Sequence, residues 1–69
     1  MHVAEKIRLV CAKFNISQAE LARRIGTSPQ SFSSKMKRAS FTVEDLTKIA
    51  EALDIEFEFN FTFVDGTVI

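Results

Sequence analysis

A single cysteine, Cys11, excludes an intramolecular disulfide and points to a reducing compartment. The single histidine, His2, lies at an end expected to fray. One His and one Cys make no zinc site, so no metal is expected. No apolar run approaches the ~18 residues that cross a bilayer. Nor does the opening stretch resemble a signal peptide, so a soluble, cytoplasmic protein without a membrane role is expected. The two glycines form no glycine-rich phosphate loop, and no nucleophile has a base near it in the pattern. Glu44 and Asp45 look like a carboxylate pair, but a helix start explains them. Neither an enzyme nor a cofactor is expected. Repeats, low-complexity segments and linkers are also absent. At 69 residues the chain is one domain, and folding hides only about 60% of the surface of a chain this short.

Net charge is lacking as well, with nine Lys/Arg against nine Asp/Glu. The balance is local, however. Residues 1–38 hold eight basic residues and two acids, whereas residues 39–69 hold one basic residue and seven acids. A chain polarised in this way can turn one face to phosphates while remaining neutral in total. An ordinary solvated surface is the alternative reading.

What is present is a series of helix signals. Val3, Ile7, Val10, Cys11 and Phe14 form one apolar stripe, which predicts a helix over 3–14, and Asn15 suits a left-handed end. Ser17 with Glu20 reads as a capping box, with Ile16 and Leu21 as its hydrophobic staple. Leu21, Ala22 and Ile25 supply the buried stripe of this second helix, and Gly26 ends it. Ser28 caps a third helix with Pro29 at its first position, and Phe32 and Met36 face inward. Thr42 and Asp45 open a fourth, stapled by Phe41 and Leu46. Its apolar face is Val43, Leu46, Ile49, Ala50 and Leu53.

Two short helices joined at a glycine turn are the core of a helix-turn-helix. The third helix, about residues 29–38, is then the candidate reader of the major groove. Gln30 carries an amide that can pair bidentately with adenine. Ser31 and Ser34 are short donors for bases or phosphates, and Lys35, Lys37 and Arg38 continue toward the backbone. Gln18 places a side-chain amide beside the exposed N–H groups of the second helix, a usual phosphate contact. Ser28, Ser31, Ser33 and Ser34 crowd one helix although serine is a mediocre helix former. One of them is a cap; the others suit close approach to a surface.

These residues resemble the Cro/lambda-repressor type of helix-turn-helix family, the XRE-like regulators. The likeness covers roughly residues 4–55 and rests on Ser17-Gln18-Ala19-Glu20-Leu21-Ala22, on Gly26-Thr27-Ser28 and Phe32, and on Leu46 to Leu53. It implies an all-α bundle, a dimer on a near-palindromic site, a phosphate contact through Gln18, and base readers at Pro29, Gln30 and Ser34. Three departures stand out. Pro29 offers no polar group, so that position reads a thymine methyl or nothing. No glycine follows the third helix, which predicts a differently shaped loop over Arg38–Ser40. Asp54 stands where a glycine is common, and Asp tolerates the left-handed conformation.

The tail reads differently. Ile55, Phe57, Phe59, Phe61 and Phe63 alternate with mostly polar residues up to Val64, the pattern of a half-buried strand. Asp65-Gly66 is a two-residue hairpin signal, and Thr67–Ile69 can return as a short second strand. The expected fold is therefore mainly α: a lambda-repressor-like bundle of about four helices over 1–54. A β-strand or hairpin over 55–69 belongs to the same domain and makes the dimer through Phe57, Phe59, Phe61 and Phe63. Whether that strand pairs in cis or across the dimer stays open. The expected function is a bacterial or phage-type, homodimeric repressor that binds double-stranded DNA in a sequence-specific way. The alternative is a protein-interaction module, such as an antitoxin, whose strand pairs with another protein.

Overall fold

The computed structural model describes residues 3–69. His2 lies outside them. Four helices follow one another: α1 (Val3–Phe14), α2 (Gln18–Arg24), α3 (Pro29–Arg38) and α4 (Val43–Leu53). The mainly α architecture is the expected one.

α2, α3 and α4 each start at the predicted cap. The Ser17, Ser28 and Thr42 hydroxyl oxygens accept the N–H of Glu20, Ser31 and Asp45 at 3.0–3.1 Å. Among the described caps only Thr42 completes a capping box, because Asp45 Oδ2 accepts the Thr42 N–H at 3.0 Å. At Ser17 the box is half-formed. The Glu20 carboxylate turns outward to Arg23 Nη2 and to Arg24 Nε (3.1 Å) instead of reaching back. Both guanidiniums lie within one turn of it on the same face and outcompete a lone amide for its charge.

The four helices end alike. Asn15, Gly26, Ala39 and Asp54 take φ between 51° and 78°, and in each case two backbone bonds close back onto the last turn. Ala39 is the unexpected member. The missing glycine after α3 does not change the ending; Ala39 adopts φ 51° and accepts the strain itself.

The core is Ala4, Ile7 and Cys11 from α1, Leu21 and Ala22 from α2, Phe32 and Met36 from α3, and Ile49, Ala50 and Leu53 from α4. Phe32, 1% exposed, sits at its centre and meets Phe41 edge-on, ring centroids 5.5 Å apart. Burial of the Cys11 thiol pushes its pKa up, in keeping with a packing role. Two predicted inward positions lie outside: Phe14 and Val43 are exposed. Both sit at helix ends, Phe14 as the last residue of α1 and Val43 as the first of α4.

The tail departs most from expectation. Among the described residues it forms no strand, so a C-terminal β-hairpin is not supported. It holds one antiparallel bridge, Thr62 with Val68, flanked by Phe61–Ile69 bonds at 2.7 and 2.9 Å and a Phe63–Thr67 bond at 2.7 Å. The reversal is also one residue longer than the Asp65-Gly66 signal implied. The Gly66 N–H reaches the Phe63 carbonyl, and Gly66 has φ 92°. Asp65 Oδ1 accepts the Thr67 N–H at 2.9 Å, which holds the Asp65 pKa below its ordinary value. A strand requires a partner along its whole length. Residues 67–69 extend only as far back as Phe61, and among the described residues no backbone bond joins 56–60 to another segment.

Candidate nucleic-acid interface

α2 and α3 form the largest helix–helix contact, anchored by fully buried Leu21 and Phe32. That packing points the opposite side of α3 outward. Gln30, Ser34 and Lys37 recur at i, i+4 and i+7 and are all exposed, with Ser33 beside them. This face has no acid and no exposed large apolar side chain. Pro29 is also exposed, at the first helical position.

The serines divide their work. Ser28 Oγ accepts the Ser31 N–H at 3.1 Å and donates to Ser31 Oγ at 3.0 Å. Ser28 is thus occupied as a cap, while the Ser31 hydroxyl hydrogen remains available. Ser33, one of the serines expected to suit close approach to a surface, is exposed on the same side.

The cations divide as well. Lys35 was expected to continue toward a DNA backbone. Its Nζ instead donates to Asp45 Oδ2 at 3.0 Å and is only half-buried there. The same oxygen accepts the Thr42 N–H, so Lys35 ties α3 to the cap of α4. Asp45 is held below its ordinary pKa by the Thr42 bond and then by Lys35. Lys37 and Arg38 make no ion pair among the described residues. They share a cleft with Arg8, Glu5 and Met36. No sequence signal places Arg8 there, because only the packing brings this side of α1 against the end of α3. Gln18 is exposed at the first position of α2, as expected. Arg23 and Arg24 spend their charge on Glu20, whose pKa they lower.

A family model, the Cro/C1-type HTH DNA-binding domain, matches residues 6–58. The chain belongs to this family. No curated protein and no solved structure matches it. In this Cro/C1-type domain, α2 and α3 are the helix-turn-helix pair, with the acid-free face of α3 turned to solvent. The match ends at Glu58, one residue before Phe59, so most of the exposed apolar tail lies beyond it. None of the described helices is long and apolar enough to cross a membrane.

Proposed function

We propose that this Cro/C1-type protein is a sequence-specific, homodimeric repressor that occupies a near-palindromic operator. The observation that carries the reading is the face of α3. Gln30, Ser34 and Lys37 are exposed in one row on a helix without acids, within the matched domain. Gln30 reads a base through its amide, and Ser31, Ser33 and Ser34 reach bases or phosphates. Lys37 and Arg38 neutralise the DNA backbone, joined by Gln18 at the start of α2. Lys35 acts through Asp45 by fixing the angle of α3. Such a regulator works in the cytoplasm, where its operator is, and its chemistry calls for no cofactor.

A second reading draws on the tail. Phe59, Phe61 and Phe63 are exposed, and the backbone around Phe59 is unpaired. That is also what an antitoxin-like module offers to a foreign protein.

Selection from a random duplex DNA library at physiological salt tests the first reading. An enriched inverted repeat with half-sites about one DNA turn apart supports it. Retention of every sequence alike, abolished by salt, overturns it. On the selected site, Gln30→Ala should cost ~1–3 kcal/mol at one base pair only.

A further inference from the structure

The chain leaves α4 by a turn that sends it back beside α1. Asp54 takes φ 56°, and the Ile55 N–H closes onto the Ala50 carbonyl at 2.9 Å. Residues 55–60 then bound, with α1 and α4, a cavity of about 540 Å³. A water molecule takes up about 30 Å³, and protein interiors leave few voids larger than one. This space is instead within the range of small-molecule sites, about 300–1,000 Å³.

The floor of the cavity is apolar. Ile7 of α1 and Ile49 and Ala50 of α4 line it, and all three are buried. The tail contributes an aromatic wall. Phe57 and Phe59 stack with centroids 6.1 Å apart and planes at 22°, as side chains two residues apart in an extended chain can.

Polar groups are few. Lys6 lies on the α1 side, and Glu56, Glu58 and Asn60 lie on the tail side. None of the three charged groups makes an ion pair among the described residues. The carbonyls of 56–60 accept no backbone bond among those residues either. Two carboxylates and a run of open carbonyls therefore stand against one ammonium, and the rim is negative on balance. A cation is favoured there, and an aromatic face beside it adds to the attraction.

We propose that this cavity binds a small hydrophobic amine, its ring against Phe57 and Phe59 and its ammonium held by Glu56, Glu58 and the carbonyls of 56–60. A carboxylate on the same ring would gain Lys6 but face both glutamates. The bound amine ties the tail to α1 and α4, a link that no backbone bond of 56–60 supplies. No α3 residue lines the cavity, so amine binding and DNA reading are scored independently.

Titration of the full chain with naphthylmethylamine tests the site, with naphthylacetate as the same ring carrying the opposite charge. The chain has neither Trp nor Tyr, so naphthalene emission reports binding without interference. The amine should bind with a Kd of about 0.1 mM or below, and the acetate at least about tenfold more weakly. Glu56→Lys with Glu58→Lys, both at exposed positions, should invert that order. Ala50→Leu, which fills the floor, should weaken the amine by about tenfold. Should Ala50→Leu fail to fold, the charge-reversed pair decides alone. Equal binding of the two compounds, or an order that survives the charge reversal, overturns the proposal. Binding of neither overturns it too, as when a second copy of the chain fills the cavity. Amine binding untouched in a folded Ala50→Leu chain means ion pairing at the tail surface only, and overturns it as well.

Discussion

The α2–α3 unit and the tail are both written in clear sequence patterns, yet only one of them is complete within a single chain. In α2 and α3 the caps, the glycine turn and the inward Leu21 and Phe32 all find partners within a short stretch of chain. Helical bonds are local, so a helix needs its neighbours only to cover one face. The tail alternates as regularly, but strand bonds are made to another segment, and 67–69 supply only a fraction of what Ile55–Phe63 offers. The same clarity of pattern therefore yields a finished element in one region and an unfilled edge in the other.

The largest expected effect strikes the finished region. Phe32→Ala should cost about 3–5 kcal/mol, close to the whole stability of a domain this size, and calorimetry should show the helices melting together. Charging the tail should do the reverse. Phe59→Asp with Phe61→Asp should leave the thermal midpoint within a few degrees while light scattering reports a monomer. Affinity for a two-half-site operator should then fall by roughly 10²–10⁴ as the linked second contact is lost. A parallel loss of helical stability would show that the tail belongs to the core after all.

A smaller effect tests how α3 is held. The Asp45 pKa is depressed in the folded state, so its stabilisation is complete above about pH 4 and is lost as the pH falls through the lower folded value. Asp45→Asn should cost about 1 kcal/mol at neutral pH and flatten that acid limb in a pH series of denaturation midpoints. On DNA, Lys35→Met should lower specific binding while leaving the salt slope unchanged, whereas Lys37→Ala should reduce the slope by about 1. The smallest effect is a gain. Ala39→Gly relieves a left-handed alanine and should stabilise the domain by about 1 kcal/mol, read from the denaturant midpoint.

Local chemistry was legible in the residues. Ser17, Ser28 and Thr42 as caps, Asn15, Gly26 and Asp54 as helix ends, and the exposure of Gln18, Gln30 and Ser34 all follow from spacing and side-chain type. Contacts between distant segments were not. Nothing in the order of residues distinguishes Lys35, which pairs with Asp45 ten positions on, from Lys37, which has no ion pair among the described residues. Arg8 joins the α3 end only because α1 lies there. Glu20 illustrates the same limit at short range, since its box was legible but its competition with two arginines was decided by geometry.

By itself the sequence determined the four helices, the caps of α2, α3 and α4, the polar face of α3 and the family, because helix bonds, caps and amphipathic stripes are set within one or two turns of chain. Only the tertiary structure decided which cations are paired, that Ala39 bears the strain of ending α3, and that residues 55–60 lie beside α1 and α4 without forming a strand. Those outcomes depend on what lies opposite a residue in space, and alternation along a chain does not say what will stand across from it.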